Sequence, residues 1–313
     1  MHPTKNSATV SAYLHRAQGL IIRMKTDLDI ESTTPSLIAA WAILLRPNVR
    51  PATWRQYRAA LLCYFKFEQD PEIGQAIELL QTSSCSVCLR GKNAPSRTSS
   101  SKKRQISQQE LAEIVEYLDV HITRWSFPTA IWLQVSILTG LRPSEWLHSQ
   151  LEIIANGEPV LVVTNAKNTN GRSNGEVRHL LLSNLPAESM ALIRTQMEIV
   201  AVVVERNLWD RWCRECRKTL YSATRALWPK RTRYPTLYTG RHQFVANAKR
   251  SGLTKIEIAA LLGHASEQTA ARHYGKKRSG INEVLIKPHA DDVARLKFKT
   301  LEMPSDWSRN LMS

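Results

Sequence analysis

The sequence predicts a mainly α protein with a small antiparallel β-sheet. Three observations predict it. Apolar residues recur at helical spacing along most of the 313 residues. Alternating, β-branched runs are confined to residues 151–182. A serine-rich, basic stretch over 83–104 separates a shorter N-terminal part from a longer C-terminal one. The expected organisation is a helical domain over 1–82, a basic linker over 83–104 and a larger domain over 105–313.

In the first domain, residues 7–25 place Val10, Tyr13, Leu14, Leu20, Ile21 and Met24 on one helical face. Pro35 opens a second helix through Ala39, Trp41 and Leu45, and Pro47 and Pro51 break it. A third helix is expected from Thr53, with Trp54, Tyr57, Leu61, Tyr64 and Phe65 apolar and Arg55, Arg58 and Lys66 basic. The linker carries Arg90, Lys92, Arg97, Lys102, Lys103 and Arg104, a composition suited to a flexible strap across a polyanion.

In the second domain, Ser107 to Glu110 reads as a capping box ahead of a helix through Leu118. An apolar helix over 130–138 should end at Gly140. Residues 151–154 and 160–164 flank Asn156-Gly157, the signal of a type I′ hairpin, and a third strand covers 177–182 after a polar loop over 168–175. Helices follow to the end. One starts at the Thr254 to Glu257 capping box and stops at Gly263, and another covers 290–296.

Lys and Arg number 43 against 27 Asp and Glu, for a net charge of +16 and a pI near 9.9. That imbalance favours a polyanion as partner, since each Lys or Arg contact to phosphate releases counterions. No apolar run is long enough to cross a membrane, and the N-terminus lacks a secretory pattern, so a cytoplasmic location is expected. Five cysteines fit a reducing compartment. Two pairs, Cys85/Cys88 and Cys213/Cys216, have the spacing of zinc ligands, but Cys213 and Cys216 share an apolar helical stripe with Trp209, Leu220 and Leu227. No metal is expected.

Four motifs concentrate reactive side chains: Thr139-Gly-Leu-Arg142-Pro-Ser-Glu145, Leu237-Tyr-Thr-Gly-Arg241-His242, Leu262-Gly-His264 and a tyrosine, Tyr274. Two arginines, a histidine and a phenol can hold a phosphodiester and attack it without metal. Attack on phosphorus builds charge on the non-bridging oxygens, and fixed guanidiniums stabilise it bidentately. The proline after Arg142 places it at a helix start, where backbone N–H groups also favour an anion, and Glu145 could fix its rotamer. His264 could bond a non-bridging oxygen or help deprotonate Tyr274.

These motifs resemble the tyrosine recombinase, or phage integrase, family, over roughly residues 104–292. The resemblance implies an N-terminal helical core-binding domain and a C-terminal catalytic domain. It implies site-specific cleavage and rejoining of double-stranded DNA through a 3′-phosphotyrosyl link, with no cofactor, metal or ATP, by a homo-tetramer on two duplexes. The roles it implies are Arg142, Arg241 and His264 around the phosphate, Tyr274 as nucleophile and Lys167 as general acid on the β hairpin. Glu145 and Tyr238 are supporting residues, and Arg55, Arg58, Lys66, Lys102, Lys103, Arg104, Arg172 and Arg178 are expected DNA contacts. The 290–296 helix is expected to pack on a neighbouring subunit. Two departures stand out. Tyr238 replaces the family's histidine three residues before Arg241, and His273 occupies the place where the family more often has its tyrosine. Competing readings are a type IB topoisomerase, a non-cleaving relative, and a helix-turn-helix regulator built on 252–266.

Overall fold

The computed structural model describes residues 7–83, 102–155, 157–166, 168, 173–266 and 277–301. The chain divides into two compact units, 1–97 and 98–313.

The first unit holds α1 (Ser7–Leu28), α2 (Pro35–Leu44), α3 (Pro51–Tyr64) and α4 (Ile73–Thr82). Pro35 is the first residue of α2, and Thr34 caps it by accepting from the Leu37 amide at 3.3 Å. Pro51 starts α3 two residues earlier than Thr53, because a proline at that position gives up an amide no helix would use. Trp41, Trp54, Leu61, Phe65 and Leu80 form its core. Sequence reasoning did not single out α4, although Ile73, Ala76, Ile77 and Leu80 carry the helical spacing.

The second unit starts with α5 (Gln108–Val120), whose capping box is complete. The Glu110 amide donates to the Ser107 hydroxyl at 3.1 Å and the Ser107 amide to Glu110 Oε2 at 3.0 Å. Next come α6 (Ser126–Thr139), a six-residue 3₁₀ turn (Pro143–His148), β1 (Ser149–Ile153), β2 (Pro159–Thr164) and β3 (Val177–Leu181). They are followed by α7 (Ala187–Glu205), α8 (Trp209–Leu227), α9 (Leu237–Arg250), α10 (Lys255–Leu262), β4 (Lys287–Pro288) and α11 (Ala290–Leu301). The sheet is antiparallel in the order β1-β2-β3-β4. Its first hairpin is not a two-residue type I′ turn. Ile154 pairs with Glu158, so three residues intervene, and Gly157 supplies the positive φ of 83°. The core of this unit centres on Trp132, Trp146, Trp212 and Phe244, with Trp132 and Trp212 stacked at 4.0 Å.

The basic segment at 102–104 is pinned to the second unit, with the Lys103 amide donating to the Tyr234 carbonyl at 2.9 Å and the Thr239 hydroxyl to the Lys103 carbonyl at 2.8 Å. The Lys103 ammonium pairs with Glu110, which also takes Arg231 at 2.5 Å, so Lys103 ties this segment to α5. The α11 helix packs on its own unit. Val293 and Leu296 meet Ile256, Ala259 and Ala260 of α10, and Asp292 accepts the His179 amide at 2.6 Å. Cys213 and Cys216 sit in the core of α8, where burial pushes their thiols up to about 11 and about 12. Cys85 and Cys88 lie outside the described residues, and among the described residues no group of His, Cys, Asp or Glu is placed to hold a metal.

Candidate active site

The site is assembled around Glu145, which is 1% exposed. Its carboxylate receives Arg142 Nη1 at 2.5 Å on Oε1, and Arg178 Nη2 at 2.7 Å and Nη1 at 3.2 Å on the two oxygens. Arg241 Nη1 is 3.6 Å from Oε2. Three guanidiniums thus face one carboxylate, which leaves the cluster with excess positive charge. Burial by itself raises the Glu145 pKa. The pull of Arg178, Arg241 and Arg142 outweighs it and holds the carboxyl well below the usual carboxylate range.

Arg241, on the second turn of α9, is fully buried. It donates to the Gly140 carbonyl at 2.6 Å and the Leu262 carbonyl at 2.9 Å, the ends of α6 and α10. Helix C-termini carry unsatisfied carbonyls and partial negative charge, so a guanidinium between two of them is doubly favoured. The glycines of the motifs make that meeting possible. Gly140 and Gly263 are left-handed, with φ 68° and 63°. A Cβ on Gly140 would strike the Phe244 ring, and one on Gly263 would strike the Asn165 side chain.

His264 is 4% exposed, and its Nε2 lies 3.2 Å from Arg241 Nη2. A guanidinium only donates, so Nε2 accepts and the ring proton sits on Nδ1. Burial, then the charges of Arg241, Arg142 and Arg178, lower its pKa to about 2. At neutral pH this imidazole is uncharged and a poor base, which counts against proton removal from a tyrosine and for a role in orienting Arg241. Arg142 is the least buried of the three arginines, at 9%. The segment after it is a six-residue 3₁₀ turn and not an α-helix, and the Arg142 amide is bonded to Glu145 at 2.7 Å. The expected anion site on backbone N–H groups is therefore not built. Tyr238 lies on the first turn of α9, its ring edge-on to His242 at 5.3 Å. Burial, then Arg104 and Arg241, lower His242 to about 4.

Arg178 corrects an expectation. Assigned from sequence to DNA contact, it is fully buried, bonded to Glu145, to Asn165 Oδ1 at 2.5 Å and to the Leu261 carbonyl at 2.8 Å. A strand's alternation could have shown it, since Arg178 shares the inward face of β3 with Leu180. Asn165, which sequence reasoning missed, donates to the Gly175 carbonyl at 3.1 Å and so closes the base of the 165–175 loop against Arg178. Lys167 and Arg172, within that loop, and Tyr274 lie outside the described residues. Arg55, Lys66, Lys102 and Arg104 are exposed, while Arg58 is half-buried and bonded to the Gln81 carbonyl at 3.3 Å.

No family model and no curated protein sequence matches the chain. Solved structures do. A lambda integrase dimer bound to a COC′ core site is similar at 14% identity, over 90% of this chain and 75% of that one, with a TM-score of 0.53. A dimer of lambda integrase residues 75–356 on the same site is similar at 15% identity, over 85% and 91%, with a TM-score of 0.50. The XerH site-specific recombinase bound to a palindromic difH substrate, after cleavage, is similar at 16% identity, over 87% and 77%, with a TM-score of 0.47. The chain has the fold of those lambda integrase structures, mainly α with a small antiparallel sheet.

Proposed function

We propose that the chain is a site-specific DNA recombinase that cleaves and rejoins double-stranded DNA through Tyr274. One observation carries this reading: Arg142 and Arg241, remote in sequence, converge on Glu145 in a cluster with excess positive charge, and His264 bonds Arg241 behind them. The Tyr274 hydroxyl gives up its proton to solvent as its oxygen bonds to phosphorus and the bond to the 5′ oxygen breaks, giving a 3′-phosphotyrosyl link and a 5′-hydroxyl. Arg142, at the exposed edge, meets a non-bridging oxygen first, Arg241 adds its charge behind it, and the neutral His264 orients Arg241. Lys167 donates a proton to the leaving 5′ oxygen. The new ester conserves the bond energy, so the reaction calls for neither ATP nor metal. The net charge of +16 and the exposed Arg55, Lys66, Lys102 and Arg104 support a duplex as substrate, and a homo-tetramer on two duplexes is the working assembly.

A nicked suicide duplex tests the reading. The protein should form a covalent adduct stable to denaturant and mapping to Tyr274, and Tyr274→Phe should bind the duplex equally well and form none. An adduct on another residue, or none from the natural sequence on its own DNA site, defeats the assignment.

A further inference from the structure

The second unit holds a cavity of about 410 Å³ to which the proposed bond-breaking step assigns no ligand. Three tyrosines line it, Tyr221, Tyr234 and Tyr238, together with three cations, Lys102, Arg217 and Arg225. Among the described residues no carboxylate lines it, so a cation has no partner there. The Arg225 guanidinium lies 3.2 Å over the Tyr221 ring and 4.2 Å over that of Tyr234, and it donates to the Tyr221 carbonyl at 3.2 Å. The arginine plane is thus fixed in advance, which lowers the ordering cost of a ligand. Tyr221 and Tyr238 are 56% and 38% exposed. Pro143, next to Arg142, also lines the cavity and places it beside the catalytic cluster.

An intact duplex presents phosphates but no apolar surface to fill such a hollow. An unstacked base presents a π face that tyrosine and arginine both stack on, and its phosphate brings the anion. We propose that the cavity takes one unstacked nucleotide of a DNA strand, its base against the tyrosine rings and its phosphate toward Lys102 and Arg217. The proposal rests on the reading of the chain as a DNA-cleaving enzyme, which would hold a strand opened beside the cut.

The test uses the full chain and two labelled probes of equal length, a single-stranded oligothymidylate and its abasic counterpart, followed by fluorescence anisotropy over a salt series. The intact strand should bind about five- to a hundredfold more tightly than the abasic one, with the same salt slope for both. Tyr221→Ala should remove most of that difference, Tyr221→Phe should keep it, and Arg217→Gln should weaken both probes alike. A 2-aminopurine placed in the strand should change its emission on binding to the natural chain and not to Tyr221→Ala. Equal binding of the two strands, or a preference that survives Tyr221→Ala, overturns the proposal. So does displacement of the strand by an acidic, phenylalanine-rich peptide, which would indicate a protein partner. The suicide-duplex adduct is scored in parallel. An adduct without base preference removes the nucleotide pocket alone, and base preference without an adduct removes the cleavage reading alone.

Discussion

Glu145 is the residue on which the cluster's stability turns. Removing its charge leaves Arg178 and Arg241 buried without an anion, and breaking a buried pair in this way costs roughly 3–5 kcal/mol. Glu145→Gln should therefore shift urea unfolding of the second unit by about that amount. The same cluster sets the acid response. The folded pKa of His264 lies below the ordinary 6.5, so the unfolded chain binds the extra proton. Its contribution is fully present above pH 6.5 and is lost as pH falls toward the folded value of about 2. Each proton steepens the fall by about 1.4 kcal/mol per pH unit. His264→Asn should flatten unfolding free energy against pH between 6 and 5 by about one proton, where Glu145 does not yet titrate and His242 supplies the remaining slope. Arg178 gives the sharpest separation of roles. Arg178→Lys should leave duplex affinity nearly unchanged, since the side chain is fully buried. Adduct formation should fall by roughly a hundredfold, because Glu145 and the 165–175 loop lose their bidentate tie. A drop in affinity with an unchanged rate of cleavage would show that Arg178 touches DNA after all.

At the scale of elements, the left-handed helix ends carry the geometry. Gly263 combines a positive φ with close contact to Asn165, so Gly263→Ala should cost more than about 1 kcal/mol in thermal unfolding and disturb His264 directly. Gly157 has the same sign of φ and open space around it, and Gly157→Asn should be nearly neutral, since asparagine tolerates that region. This contrast also shows what the sequence made legible. Gly140, Gly263 and the capping boxes at Ser107 and Thr254 are local signals, and helices α5, α6 and α10 end or begin at them. The two-residue β4 has no periodicity to read and exists only because β3 pairs with it, Leu180 opposite Pro288. Arg178 is the instructive miss. A cationic chain reads as surface by composition, and only its shared parity with Leu180 marks it as inward. The convergence of Arg142 and Arg241 on one carboxylate depends on packing between elements about a hundred residues apart, which no local pattern encodes.

For the whole molecule, the excess of Lys and Arg predicts binding that falls steeply with salt. Each phosphate contact should contribute about 0.9 to the slope of log affinity against log salt concentration. Arg55→Gln combined with Lys66→Gln, on an exposed face of the first unit, should lower that slope by roughly two without altering the unfolding midpoint. Arg58→Gln should act the other way, since its side chain supports the end of α4. Each unit has its own aromatic core, Trp54 and Phe65 in the first and the Trp132–Trp212 stack in the second, so both can be followed optically.

The attachment of α11 carries a further consequence. Asp292 takes the His179 amide, its carbonyl takes the Asn174 side chain at 2.6 Å, and Arg295 reaches the Val177 carbonyl at 3.1 Å. The last described helix is therefore a clasp on the strand that leaves the lysine-bearing loop. A premature stop at residue 290 would cost more than a dangling tail. It would strip β3 of the Asp292 and Arg295 contacts, and a shortened gene product would keep Arg142, Arg178 and Arg241 with a sheet that has lost its clasp.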